Sequence, residues 1–132
     1  MVTVKITPND KGNPPGKLAD AELHFTGPSE RLQAVYALRS DRPDDYVTQA
    51  LKEAMDHARA LEGLKLIGFA VWERRGGSGR NVTFPARQYS INGERRSFAL
   101  LRPIVDATAQ DRIRQLILDA FAAYEAETAG VR

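Results

Sequence analysis

The sequence has no cysteine, two histidines and a single tryptophan. The first absence removes disulfides, thiolate zinc sites and cysteine nucleophiles together. His24 and His57 are the whole supply of imidazole, and no metal-ligand spacing joins them. Both read as surface side chains, and neither a metal nor another cofactor is expected. No apolar run approaches the roughly 18 to 20 residues that span a bilayer. The start Met1-Val2-Thr3-Val4-Lys5 also lacks the basic-then-apolar layout of a signal peptide. A cytoplasmic chain without membrane association is therefore expected. Serines and carboxylates are plentiful, yet no GxSxG, SxxK or HExxH pattern sets a nucleophile beside a base, so no enzymatic activity is expected.

What is present belongs to an ordinary globular chain: 132 residues, 42% hydrophobic and 27% charged. That length suits one domain spanning 1–132 with one core. The net charge is only +2, but it is unevenly placed. From Leu64 to Ile104 eight Lys/Arg face only Glu73 and Glu94, a local charge of +6, which leaves −4 on the remainder. Such segregation is the electrostatic footprint of an anionic partner, and a solvated basic face would look the same in sequence.

Alternating Val2, Val4 and Ile6 read as a strand, followed by turn chemistry from Pro8 to Gly16. Leu18 to Thr26 reads as its partner, with Ala19, Ala21, Leu23 and Phe25 on one face and His24 on the other. Ser29 and Glu30 open a short helix carrying Leu32, Val35 and Tyr36. Pro43 suits the first turn of a second helix, with Asp44 and Asp45 near its positive end. Its apolar stripe is Val47, Ala50, Leu51, Ala54, Ala58 and Leu61. Leu64 to Glu73 is apolar on both faces through its middle, as a central strand is. Asn81–Ile91 and Glu94–Ile104 then flank Asn92-Gly93, a pair suited to the two positive-φ positions of a type I′ hairpin turn. From Thr108, paired with Asp111 as a capping box, Ile113, Leu116, Ile117, Ala120, Phe121 and Tyr124 recur at helical spacing. The expected class is α+β: one small antiparallel sheet of about five strands, an inserted pair of helices and a C-terminal amphipathic helix.

A two-residue turn at Asn92-Gly93 puts Ile91 opposite Glu94, Tyr89 opposite Arg96, Arg87 opposite Phe98 and Thr83 opposite Arg102. One hairpin face thus mixes arginine with aromatic rings. The other carries Val82, Phe84, Ala86, Ala99 and Leu101 and is expected to turn toward the core. Arginine offers paired donors to phosphate, and rings beside it offer bases a stacking platform. The same face also suits a subunit interface, with its arginines solvated or paired with acids. The loop Arg74-Arg75-Gly76-Gly77-Ser78-Gly79-Arg80 lacks the GxxxxGK[ST] phosphate-loop pattern and reads as a flexible connector that lends arginines to a polyanion.

In order from Leu64, these elements carry Ala70-Val71-Trp72-Glu73, a Ser78-Gly79 turn, Asn81-Val82-Thr83-Phe84-Pro85-Ala86-Arg87, Asn92-Gly93-Glu94-Arg95, and Pro103-Ile104 before the last helix. This string resembles the SpoVG family of small bacterial regulators, named after stage V sporulation protein G. Val2 to Thr26 can be laid on the family's first two strands. Gly27 to Gly63 then stands as a helical insertion where family members pass through a short turn. Arg102 occupies the place of the family's histidine before Pro-Ile. The resemblance implies a dimer that binds DNA or RNA in gene regulation, without enzymatic activity. Pro85 and Arg87, and Gly93, Glu94 and Arg96, are the positions that match its motifs.

The leading expectation is a homodimeric nucleic-acid-binding regulator. Arg74, Arg75, Arg80 and Arg102 contact phosphate together with Arg87, Arg95 and Arg96 of the hairpin, and Tyr89 and Phe98 supply stacking. The alternative is a homo-oligomeric interaction or structural module using the same hairpin and the inserted helices.

Overall fold

The computed structural model describes residues 1–130. Among them are six strands and three α-helices: β1 (Val2–Pro8), β2 (Lys17–Phe25), α1 (Glu30–Ala37), α2 (Tyr46–Arg59), β3 (Lys65–Glu73), β4 (Arg80–Thr83), β5 (Ala86–Ile91), β6 (Glu94–Ala99) and α3 (Thr108–Gly130). The class is α+β, but the strands form two antiparallel sheets where one of about five was expected. One has the order β1-β2-β3-β4, and the other is the pair β5-β6. The chain also divides into two compact units, one of Met1–Thr3 with Leu23–Leu66, the other of Val4–Glu22 with the chain from Ile67 onward. The first unit contains the segment 27–63 read as an insertion.

In the first unit, Ser29 caps α1 by accepting the Leu32 N–H at 3.1 Å. The helix buries none of its residues, and Val35 is exposed. The second helix begins later than its proline indicates. Asp45 is its N-cap, accepting the Val47 N–H at 3.2 Å, so Pro43 lies in the preceding turn. The buried face is also rotated from the expected stripe: Thr48 is buried and Leu51, Met55 and Ala58 are half-buried, while Val47, Ala50, Ala54 and Leu61 are exposed. The cause is polar. Arg39 donates to the Thr48 hydroxyl at 3.2 Å and to the Asp45 carboxylate, and these bonds turn Thr48 inward. The Arg39 hydrogen bond holds the Asp45 carboxyl below the ordinary aspartate value of 3.8.

In the second unit the core is small. Ala19 and Ala21 of β2, Phe69, Ala70 and Val71 of β3, Val82 of β4 and Ile117 and Phe121 of α3 are all buried. Three consecutive buried residues on β3 mean that both faces are covered there, as its position between β2 and β4 requires. The β3–β4 ladder pairs Ala70 with Thr83 and Val71 with Val82, and the Trp72 indole N–H donates to the Thr83 hydroxyl at 2.8 Å. Thr83 therefore does not face Arg102, as the long hairpin required.

The ladder stops because Phe84 and Pro85 turn the chain out of the first sheet. Proline has no N–H to continue a ladder, and Pro85 is buried over Gly68. Gly68 has φ +103°, and a β-carbon there would lie 2.9 Å from Pro85 Cβ. Only glycine leaves room for this approach. Phe84 packs edge-on against Phe69 with ring centroids 5.3 Å apart, and the Arg114 guanidinium lies 5.5 Å from the Phe84 ring. The last expected strand also ends early, at Ala99, and Ile104 lies in a loop with its side chain wholly exposed. Helix α3 is entered through Asp106, which accepts the Thr108 N–H at 2.9 Å, while Asp111 pairs with Arg114 instead of closing a box with Thr108.

Gly68→Ala is expected to cost about 1–3 kcal/mol, from the positive φ and the clash with Pro85. Denaturant unfolding measures this, and an unchanged midpoint would show that Pro85 does not depend on the missing β-carbon. A second expectation concerns acid. The lowered Asp45 pKa stabilises the folded state fully above the unfolded value and progressively less as pH falls through the folded one. Asp45→Asn should therefore flatten the acid limb of the stability profile below pH 3.8, where thermal melts across a pH series would otherwise show a decline.

Candidate nucleic-acid interface

The β5–β6 ribbon is shaped by its turn. Asn92 and Gly93 have φ +52° and +79°, both in the left-handed region that a type I′ turn demands. The register follows: Ile91 faces Glu94, Tyr89 faces Arg96 and Arg87 faces Phe98. These six residues share one face, as the spacing predicted. Tyr89 and Phe98 meet edge to face, with ring centroids 5.7 Å apart at 62°. Arg96 donates to Glu94 at 3.1 Å on the exposed surface, a pair worth little in water and easily exchanged for an anion.

The ribbon's other face does not meet a core. Gln88 faces Ser97, Ser90 faces Arg95 and Ala86 faces Ala99. Every residue from Ala86 to Phe98 is exposed, and Ala99 is half-buried. A two-stranded ribbon has marginal stability by itself, so its base matters. The Leu100 N–H donates to the Pro85 carbonyl at 2.9 Å, extending the pairing down to the buried proline.

The arginines expected to act together are divided by the fold. Arg87 and Arg96 lie on the aromatic face, whereas Arg95, one residue away on a strand, points to the opposite side. Arg74 and Arg75 sit on an exposed turn tied by Arg74 N–H to Gly79 O and Gly77 N–H to Arg74 O, both 3.0 Å. β4 runs from that turn to the Phe84–Pro85 bend, so turn and ribbon lie beyond opposite ends of the strand. Arg80 is already occupied. It donates to Glu125 of α3 from Nη1 to Oε1 and from Nη2 to Oε2, the latter at 2.9 Å, and its guanidinium lies 4.9 Å from the Phe121 ring. It ties β4 to α3, and its guanidinium is turned to a carboxylate and a ring of that helix.

Arg102 is exposed in the loop before α3. There it lines an open cavity of about 460 Å³ with Pro103, Ile104, Asp106 and Arg112. Hydrogen bonding to Thr108 holds the Asp106 carboxyl below 3.8, so this cavity carries a carboxylate beside its two guanidiniums. Arg112 carries no signal in the sequence, because helical periodicity marks only apolar positions. Gln88, Ser90 and Ser97 carry none either, since alternation marks them only as the polar partners of their neighbours. No group of three or more potential metal ligands converges among the described residues, and no helix among them is long and apolar enough to cross a membrane.

Arg80→Ala is expected to lower unfolding free energy by about 1 kcal/mol through loss of the Glu125 and Phe121 contacts. The salt dependence of any nucleic-acid binding should stay unchanged. A shallower salt slope with unaltered stability would return Arg80 to the phosphate-contacting set. No family model, curated protein or solved structure matches this chain.

Proposed function

We infer that this chain is a SpoVG-like regulatory protein that binds DNA or RNA through the β5–β6 ribbon, working as a homodimer in the cytoplasm and without enzymatic activity. One observation carries the reading: a ribbon whose every residue from Ala86 to Phe98 is exposed presents Arg87, Arg95 and Arg96 with only Glu94 to offset them. A hydrophobic docking strand would not concentrate guanidinium groups in this way, whereas a polyanion rewards it through counterion release. Arg74, Arg75 and Arg102, set apart from the ribbon, add longer-range attraction. Tyr89 and Phe98 offer ring faces and edges to bases.

A second reading has its own support. Leu100, Ile104 and Val105 are 58%, 100% and 91% exposed. Three exposed aliphatic side chains in the segment between the ribbon and α3 fit a subunit or partner interface. In that reading the arginines serve solubility.

Titration of purified protein with double-stranded DNA, single-stranded DNA and RNA across a salt series separates the two. Affinity for duplex should fall with a log-log slope of about −0.9 per phosphate neutralised, giving roughly −3 to −5. Arg87→Glu with Arg96→Glu should abolish binding without altering the circular dichroism spectrum. Absence of binding at low salt, or full affinity in the double variant, would remove the ribbon from this role.

A further inference from the structure

The face of the ribbon opposite Tyr89 and Phe98 has an unusual composition. Gln88, Ser90, Arg95 and Ser97 lie together on it in directly paired positions, and all four are exposed. Alanines 86 and 99 flank them at the base. The face holds no carboxylate and no large apolar side chain, so it suits neither a basic peptide nor a hydrophobic partner. It also has no ring on which an unpaired base could stack. What it does present is a compact set of hydrogen-bonding groups with one positive charge.

These groups match the edges of base pairs. Glutamine pairs with adenine N6 and N7, arginine with guanine O6 and N7, and serine with either. Two strands lie about 4.8 Å apart, and a ribbon of that width enters the major groove of B-form DNA, about 12 Å wide and 8.5 Å deep. The major groove of A-form RNA is too narrow for side chains to read. The opposite face adds one arginine from each strand, Arg87 on β5 and Arg96 on β6, whose positive charge would lie between the two phosphate backbones of the groove.

We propose that Gln88, Ser90, Arg95 and Ser97 form a base-reading face that lies in the major groove of duplex DNA. This rests on the nucleic-acid reading above and narrows it to one polymer, one groove and one face of the ribbon.

The test is a selection from short duplexes with a randomised centre, followed by affinities for the enriched duplex and a scrambled one. Wild-type protein should enrich a preferred sequence and be displaced by methyl green, a major-groove ligand, but not by netropsin in the minor groove. Gln88→Ala with Ser97→Ala alters one exposed cross-strand pair, removes no charge and should keep the wild-type circular dichroism spectrum. It should lose at least about tenfold of the preference for the enriched duplex, with little change on the scrambled duplex because Arg87, Arg95 and Arg96 all remain. Selection that enriches nothing, a preference that survives the double substitution, displacement by netropsin, or tighter binding to RNA or single strands would each overturn this face while leaving nucleic-acid binding intact. No binding to any of the three polymers would overturn both.

Discussion

Pro85 resting on Gly68 is the contact on which the arrangement of the basic segment depends. A strand that began at Arg80 and continued unbroken to Ile91 would keep its arginines against the first sheet, with one face buried. The proline interrupts the ladder, and the glycine lets it be buried at the interruption, 2.9 Å from where a β-carbon would be. Phe84, held between Phe69 and the Arg114 guanidinium, fixes the direction of exit. Everything from Ala86 to Ala99 therefore pairs with itself and belongs to the second sheet.

That break also sorts the charges. Along the sequence the arginines from 74 to 102 form one basic stretch. In the fold, Arg80 is neutralised by Glu125, Arg96 shares Glu94, and Arg87 and Arg95 point to opposite sides of a thin ribbon. Arg74 and Arg75 remain at the far end of β4. A local excess of +6 is thus spread over a turn, two faces of a ribbon and a loop before α3. Such a distribution leaves no one of these surfaces with the whole of the charge.

Local chemistry was readable in the sequence. Asn92-Gly93 specified both turn and register, Ser29 specified a cap, and the alternation of Ala19, Ala21 and Leu23 specified a buried face. Each depends on residues only a few positions apart. What escaped depends on distant partners. The switch between sheets needs Gly68 beneath Pro85, the fate of Arg80 needs Glu125 forty-five positions away, and the rotation of α2 needs Arg39 to draw Thr48 inward. On the ribbon, Arg87, Tyr89, Arg96 and Phe98 share one face, as the spacing from the turn requires. Of the opposite face, Val82 is buried and Phe84, Ala99 and Leu101 are half-buried, as alternation predicts, but Ala86 and the ribbon positions beyond it are exposed, because alternation states that two faces differ, not how far along either is covered.

The ribbon is tied to the rest of its unit at its base, and none of its residues from Ala86 to Phe98 is buried. Mutational drift there is consequently decoupled from folding. Apart from Asn92-Gly93, which the turn geometry constrains, side chains on either face can be exchanged one at a time with little loss of native stability. Single substitutions can therefore change the surface chemistry of the ribbon without touching Pro85, Gly68 and Phe84, on which its placement rests.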